Sequence, residues 1–127
     1  MHALVRPGSE AKVPAGAQPV VGNALDAATF APAIPRGATL VHLIGTPRPS
    51  PAKAAEFQSV DLASIHAATA AARRAGVRHL VYVSVAHPAP IMRSYIAVRL
   101  EGEALTKLAG MPATILRPWY VLGPGHR

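Results

Sequence analysis

The chain has 127 residues, no cysteine and a formal charge of +7, and half of its residues are hydrophobic. This length and composition predict one folded domain and exclude a largely disordered chain, and the lack of cysteine excludes disulfides, thiolate metal ligands and a cysteine nucleophile. No apolar run approaches the roughly 18 residues of a membrane span and no secretory signal follows Met1, so we expect a cytoplasmic protein without membrane contact.

The first third of the chain contains three short runs that predict β-strands. They are HALVR at 2–6, QPVVG at 18–22 and ATLVHLIG at 38–45. The third run is continuously apolar, which is typical of a strand buried on both faces of a parallel sheet. Asp26 precedes a weaker helical stretch, and its carboxylate is suited to cap the first turn. His42, inside the third run, is expected to be a hydrogen-bonded core residue.

The remainder of the chain alternates helices with strands. Pro47, Pro49 and Pro51 predict a stiff loop before a helix over Ala52–Ala75, which ends at Gly76. The run HLVYVSV at 79–85 predicts a strand, a helix over Ser94–Ala109 follows and stops at Gly110, and ATILRP at 113–118 predicts the last strand. This alternation predicts an α/β fold whose parallel sheet binds ligands at the carboxyl ends of its strands.

Five segments, in order, resemble the atypical or extended short-chain dehydrogenase/reductase superfamily. The similarity is greatest to its NmrA-like, NAD(P)H-binding and epimerase/dehydratase-like branches. The segments are ALVRPGSE, VVGNALDAATF, LVHLIGTP, AARRAGVRHLVYVSV and ATILRPWYVLGPG. The resemblance implies a partial Rossmann-like parallel sheet flanked by helices, formed by residues 1–127 as one truncated NAD(P)-binding domain.

The family's first strand and its glycine-rich turn have no counterpart in this sequence. Neither G-x-G-x-x-G nor G-x-x-G-x-x-G occurs, and that turn supplies most of the family's phosphate contacts. Because the first strand lies between the second and the fourth, we expect the strands at 2–6 and 18–22 to lose their link to the others. The alternatives are a truncated product, a shift of residues into the gap, or an edge supplied by another chain.

The resemblance also implies a set of cofactor-binding residues. Arg6 occupies the position of the NADP 2′-phosphate contact, with NAD as the alternative cofactor and a solvated arginine as the plain interpretation. Asp26 corresponds to the adenine-side aspartate, and a role as helix cap is compatible with that. Gly45, Thr46 and Pro118 match positions beside the cofactor, although Gly45 is equally a residue that ends a strand.

Ser84, Tyr95 and Arg99 match the family's catalytic positions. The resemblance implies that Ser84 steadies a substrate carbonyl and that Tyr95 exchanges a proton with its oxygen. Arg99 stands where the family has lysine, and at i, i+4 it shares a helix face with Tyr95. The implied function is an oxidoreductase or epimerase that moves hydride between NADP(H) and a carbonyl or sugar-like substrate. The alternatives are a non-catalytic nucleotide-sensing or interaction module and an inactive fragment of a longer enzyme.

The positive charge favours anionic partners in general. Only Arg73 and Arg74 among the dispersed arginines are adjacent, and aromatic residues make up 5% of the chain, so we expect no nucleic-acid partner. A nucleotide cofactor and a small-molecule substrate fit the charge better. The six histidines lack the spacing of metal ligands, so no metal site is predicted, and the oligomeric state is open, with a homo-oligomer as one alternative.

Overall fold

The fold contains five short parallel β-strands in a computed structural model that describes residues 1–87, 92–119 and 121–124. The strands are β1 (His2–Val5), β2 (Gln18–Val21), β3 (Thr39–His42), β4 (His79–Val83) and β5 (Ala113–Leu116). All five lie within the predicted runs, and each ends before the prolines, glycines and loop residues that close those runs.

The helical elements are one long interrupted helix and one regular helix. The first consists of a 3₁₀ turn (Pro51–Lys53), α1 (Ala54–Glu56), a π-helical segment (Phe57–Leu62) and α2 (Ala63–Ala75). It ends at Gly76, whose left-handed conformation with φ of 68° suits a residue without a side chain. The second is α3 (Arg93–Leu108). Both predicted long helices are confirmed, but the π-helical segment inside the first was not predicted.

The strands form two separate sheets. β1 pairs with β2, with His2 opposite Gln18, and a second sheet has the order β3-β4-β5, with Leu40 opposite Leu80 and Leu80 opposite Ala113. No strand of the described residues joins β1 to β3. The predicted separation of the first two strands from the rest of the sheet is therefore confirmed, as is the partial Rossmann-like class.

Helix α2 packs against elements of both sheets. Ala67 and Ala71 contact a cluster that contains Phe30 and that Leu4 and Val20 complete from β1 and β2. Ile65 and Ala68 pack on Tyr82 of β4, with Leu105 of α3 beside them. The small alanine side chains allow this close approach, so α2 contributes to the hydrophobic clusters beside both sheets.

Two local expectations are wrong. The stretch after Asp26 forms two short 3₁₀ turns, Ala27–Thr29 and Ala31–Ala33, and not an α-helix, because proline at position 32 favours a short turn. β3 is buried on one face only, since Val41 is 49% and Leu43 is 73% exposed. The continuous apolar run predicted burial on both faces. Among the described residues, no layer covers the face that carries Val41 and Leu43.

Among the residues that the structure describes, no helix combines the length and the apolar character that crossing a membrane requires.

Candidate functional site

The loop after β3 is tied to the π-helical segment through Thr46 and Asp61. The backbone N–H and the hydroxyl of Thr46 both donate to Oδ2 of Asp61, at 3.0 Å and 2.6 Å. Asp61 is fully buried, so its carboxylate depends on these donors in place of water. Both hydrogen-bond donors that Thr46 could offer to a cofactor are thus already used within the protein.

The guanidinium of Arg99 lies at the carboxyl ends of β3 and β4. Its Nη2 atom is 2.7 Å from Oδ1 of Asp61 and donates to the carbonyl oxygen of Ile44 at 3.4 Å. Its Nη1 atom donates to the carbonyl oxygen of Val83 at 3.1 Å. With only 5% of its surface exposed, Arg99 joins the ends of two strands to two helices.

Gly45 provides the space that the guanidinium of Arg99 occupies. A Cβ atom at position 45 would collide with Nη2 of Arg99 and would lie 3.2 Å from Oδ1 of Asp61. The absence of a side chain at position 45 is therefore required by the buried ion pair, whatever its role toward a cofactor.

Tyr95 is half-buried and lies against the same guanidinium. The Cζ atom of Arg99 is 5.2 Å from the centroid of the Tyr95 ring, within the range of a cation–π contact. The ring of Phe57 meets Tyr95 edge to face, with 5.1 Å between centroids. The structure thus brings Tyr95 and Arg99 together and fixes the phenol ring from two sides.

Ser84 belongs to a second polar cluster, at the carboxyl ends of β4 and β5. Its hydroxyl donates to Oε1 of Glu103 at 2.7 Å. Arg117 holds both oxygens of Glu103, through Nε at 2.9 Å and Nη2 at 2.6 Å. The hydrogen bond from Arg117, assisted by that from Ser84, lowers the pKa of Glu103 to about 2, so this carboxylate is ionised at neutral pH. His87 lies at the edge of the cluster, with Nε2 3.7 Å from Oε1 of Glu103.

The two clusters contact different turns of α3. Glu103, the partner of Ser84, lies eight residues beyond Tyr95, which is about 12 Å along a helix axis. The structure pairs Tyr95 with Phe57 and Arg99, and Ser84 with Glu103 and Arg117.

The other predicted cofactor residues lie at separate places. Arg6 directly follows β1 and is exposed, and its side chain bonds to no residue within 1–87, 92–119 or 121–124. Asp26 is exposed and accepts a hydrogen bond from the N–H of Ala28 at 3.1 Å, which confirms its capping role. The carbonyl oxygen of Pro118 accepts from the N–H of Ala86 at 3.1 Å.

These contacts fit a dinucleotide at one end only. Arg6 presents a guanidinium without a side-chain partner among the described residues at the end of a strand, and such a group can pair with a phosphate. At the other end, Thr46 donates to Asp61, and Arg99 donates to Asp61 and to backbone carbonyls, so they offer few free donors to a ribose.

The sequence analysis missed Asp61, Glu103 and Arg117. A signal existed for the two acids: Asp61 lies four residues after buried Phe57, and Glu103 four residues after Arg99, so each occupies an inward-facing position of a helix. A charged residue on the buried face of a helix indicates a buried partner.

A parallel α/β sheet with polar side chains gathered at the carboxyl ends of its strands is typical of nucleotide-binding proteins. A family model described as NAD(P)H-binding matches residues 1–123. The chain therefore belongs to this NAD(P)H-binding family, and the resemblance noted in its sequence is confirmed.

One relative by sequence and two solved structures are similar to this chain. Ceramide reductase of Caulobacter vibrioides is 36% identical over 69 residues, which are 54% of this chain and 22% of that protein. Triphenylmethane reductase of Citrobacter sp., complexed with NADP(H), has a TM-score of 0.72 at 23% identity, covering 91% of this chain and 39% of that one. A UDP-galactose 4-epimerase has a TM-score of 0.72 at 18% identity, covering 90% and 46%. The chain thus spans less than half the length of each of these proteins.

Proposed function

We propose that this chain is the NADP(H)-binding part of an oxidoreductase or epimerase that moves hydride between the cofactor and a carbonyl or sugar-like substrate. The observation that carries the proposal is the contact between Tyr95 and Arg99 beside the carboxyl ends of β3 and β4. In an NAD(P)H-binding fold this is the edge at which ligands bind. Tyr95 exchanges a proton with the substrate oxygen, and Arg99 and Phe57 hold its ring.

NADP is the preferred cofactor in this proposal, and NAD is the alternative. Arg6 supports NADP because a planar guanidinium forms paired hydrogen bonds with a phosphate, and this arginine has no competing bond among the described residues. Asp26, Gly45, Thr46 and Pro118 remain predicted cofactor contacts, and cytoplasmic location remains a prediction from sequence.

A non-catalytic nucleotide-binding module is the second candidate. It is favoured by the internal bonding of Thr46 and Arg99, which leaves the nicotinamide side with few free donors. Such a module would bind the cofactor through Arg6 and would not turn over a substrate.

Substitution of Arg6 tests the cofactor assignment. Because a hydrogen bond to a charged group is worth about 1.5–3 kcal/mol, Arg6→Ala should weaken NADPH binding roughly 10- to 100-fold and leave NADH binding nearly unchanged. Calorimetric titration of both dinucleotides provides the measurement. Arg78→Ala is the matched control, since Arg78 is an exposed arginine just before β4, at the opposite end of the strands. Undetectable binding of both dinucleotides to the unsubstituted chain would exclude the proposed function.

Substitution of Tyr95 separates the two candidates. Tyr95→Phe keeps the ring that packs on Phe57 and removes the hydroxyl, so cofactor binding should persist while NADPH-dependent carbonyl reduction is lost. A chain that binds NADPH but reduces no member of a panel of aldehydes, ketones and nucleotide sugars would instead be the non-catalytic module.

A further inference from the structure

The loop after β3 holds an arginine in a backbone conformation that arginine rarely adopts. Arg48 has a φ of 48°, and it and Met92 are the two non-glycine residues with positive φ in the described ranges. In the left-handed conformation the Cβ atom comes too close to the following carbonyl oxygen, so residues other than glycine and asparagine seldom occupy it. Such outliers persist only where the surrounding structure enforces them, and they cluster at ligand-binding positions.

The rest of the loop enforces the conformation of Arg48. On one side, Thr46 is held by its two hydrogen bonds to buried Asp61. On the other, Nζ of Lys53 donates to the carbonyl oxygen of Pro47 at 2.6 Å, which closes the loop on itself. Prolines occupy three of the five positions from 47 to 51 and fix φ at each of them. The loop is therefore stiff, and the position of the Arg48 backbone is set before any ligand binds.

Arg48 lies at the same end of the sheet as Tyr95. Thr46 is two residues away, within about 7 Å along the chain, and it shares the carboxylate of Asp61 with Arg99. The guanidinium of Arg99 in turn lies 5.2 Å from the centroid of the Tyr95 ring. Because ligands bind at the carboxyl ends of parallel strands, a ligand that reaches Tyr95 also lies beside this loop.

The loop carries positive charge that the fold does not neutralise. Arg48 is exposed, and its side chain forms no hydrogen bond or ion pair with residues 1–87, 92–119 or 121–124. Asp61, the buried acid beside the loop, is already paired with Arg99. The chain has no acidic residue from 27 to 55, and the next acid, Glu56, is exposed on α1, while Lys53 adds a second cation. An uncompensated cation of this kind favours an anionic ligand.

We propose that Arg48 binds an anionic group of the substrate, a phosphate or a carboxylate, while Tyr95 acts at the carbonyl. This inference rests on the proposed function and narrows its substrate class to carbonyl compounds that carry a negative charge. A guanidinium forms paired hydrogen bonds with either anion. Because the loop is already ordered, binding of the anion requires little further loss of conformational entropy, which compensates for the strained φ.

The first test uses an anion alone. When pyrophosphate is titrated into the unsubstituted chain without cofactor, the backbone and Nε NMR signals of Arg48 and the amide signals of its loop should shift and saturate. In Arg48→Ala the saturable shifts of the loop amides should disappear. Arg36→Ala is the matched control and should retain them, since Arg36 is exposed and precedes β3 at the opposite end of that strand. Shifts that do not saturate, or that persist in Arg48→Ala, would overturn the proposal.

The second test separates the arginine side chain from its backbone conformation. Glycine adopts a positive φ without strain and alanine does not, so Arg48→Gly should have a higher urea midpoint than Arg48→Ala. Both variants lack the guanidinium and should lose the pyrophosphate response, whereas Arg48→Lys keeps the charge and should retain part of it. A midpoint of Arg48→Gly at or below that of Arg48→Ala would show that position 48 is not held in the left-handed conformation, and the proposal would fail.

The third test assigns the anion to the substrate. The preference in kcat/KM for 4-carboxybenzaldehyde over its uncharged methyl ester, with NADPH as reductant, should fall roughly 3- to 10-fold in Arg48→Ala, a modest factor because water screens an exposed contact. Arg36→Ala should keep the preference. An unchanged preference in Arg48→Ala, a loss of NADPH affinity in that variant, or reduction of neither aldehyde would overturn the assigned substrate class. Failure of the unsubstituted chain to bind NADPH would reject the proposed function, while the pyrophosphate titration judges the anion contact of Arg48 separately.

Discussion

At the scale of single residues, the most demanding feature is the burial of a full ion pair, Asp61 with Arg99. Taking two charges out of water is costly, and their attraction offsets that cost only where further hydrogen bonds satisfy the remaining atoms. Thr46 supplies two such bonds to Asp61, and the carbonyls of Ile44 and Val83 accept from Arg99, which leaves Nε of Arg99 as its one buried atom without a partner among the described residues. The buried ion pair thus connects α3 and the π-helical segment to the ends of β3 and β4.

Removal of one charge from the buried ion pair should therefore destabilise the fold strongly. Asp61→Asn leaves the Arg99 guanidinium buried without a counter-charge, and we expect a loss of about 3–5 kcal/mol in the free energy of unfolding. Urea denaturation measures it. The double variant Asp61→Asn/Arg99→Met should lose less than the sum of the two single variants, since it leaves no unpaired charge. Glu56→Gln, at an exposed carboxylate of the same helix, should change stability by less than about 0.5 kcal/mol.

His42 is a second buried titratable residue, and its protonation state follows from its neighbours. The Ser64 hydroxyl donates to the carbonyl oxygen of Asp61 at 2.9 Å, so Nε2 of His42, 2.9 Å from Oγ of Ser64, must be the donor in that contact. Burial, and then the positive charge of Arg99, lower the pKa of His42 to about 4. The ring is therefore neutral in the folded protein at physiological pH.

Stability should consequently depend on pH through His42. The unfolded chain binds a proton at this residue near pH 6.5, and the folded chain binds it only near pH 4. The contribution is fully present above pH 6.5 and is lost as the pH falls from 6.5 to about 4. We expect a decrease on the order of 3 kcal/mol across this window, measured by urea denaturation at successive pH values. His42→Leu should abolish that part of the pH dependence, and His66→Gln, at an exposed histidine, should retain it. A profile for His42→Leu identical to that of the unsubstituted chain would contradict this assignment.

At the scale of elements, the approach of α3 to β4 depends on a glycine. Gly102 lies in the middle of α3, and a Cβ atom there would collide with the hydroxyl and ring of Tyr82. Tyr82 is fully buried, and burial raises the pKa of its phenol. The phenol is rigid, so it cannot move aside as a flexible side chain would.

Gly102→Ala should therefore destabilise the protein although alanine favours helices. In an exposed helix, replacing glycine with alanine would raise the free energy of unfolding by roughly 1 kcal/mol. Overpacking of a core lowers it by about 1–3 kcal/mol or more. We expect a net loss, seen as a lower midpoint in thermal or urea unfolding. In a Tyr82→Phe background the hydroxyl is absent, and the cost of Gly102→Ala should decrease. An increase in stability for Gly102→Ala alone would disprove the close packing of α3 on Tyr82.

The π-helical segment is the other decisive element. Its wider turn, Phe57–Leu62, places Phe57 against Tyr95 and Asp61 against Thr46 and Arg99. π-turns inside α-helices occur frequently at functional sites. The candidate site thus depends on a local departure from regular helix geometry.

At the scale of the whole molecule, the two sheets differ in the number of hydrogen-bonded neighbours that stabilise each strand. β4 has a hydrogen-bonded neighbour on each side, while β1 and β2 pair only with each other among the described residues. Parallel strands are usually buried in larger sheets, and an isolated two-stranded pair is weak. The β1–β2 pair is held mainly by the packing of Leu4 and Val20 on the cluster around Phe30.

Amide hydrogen exchange should reveal this difference. We expect the hydrogen-bonded amides of β1 and β2 to exchange at least about tenfold faster than those of β4, because local opening of the smaller sheet breaks fewer contacts. Exchange monitored by NMR measures both in one sample, with α2 as the internal reference for the shared core. Equal protection in the two sheets would show that they open as one unit.

Local sequence rules were sufficient for the order of the five strands and the two long helices. Apolar runs interrupted by proline and glycine marked all five strands, and Gly76 and Gly110 marked the ends of both long helices. The lack of a counterpart to the family's first strand also indicated correctly that the sheet would be divided. Periodicity over a long window averaged out the π-helical segment, and it did not identify Asp61 as the partner of a buried arginine.

Only the tertiary structure decided which polar groups meet. Arg99 pairs with Asp61, 38 residues away, and Ser84 with Glu103, 19 residues away. Such contacts depend on the register of parallel strands, the extra width of a π-turn and the room left by Gly45, none of which a local pattern encodes. The sequence by itself determined the five strands, the two long helices and the NAD(P)H-binding resemblance, since those follow from short-range preferences and motif order. The structure decided where Arg99 and Ser84 direct their protons, because burial forces each polar group to find its partner within the fold.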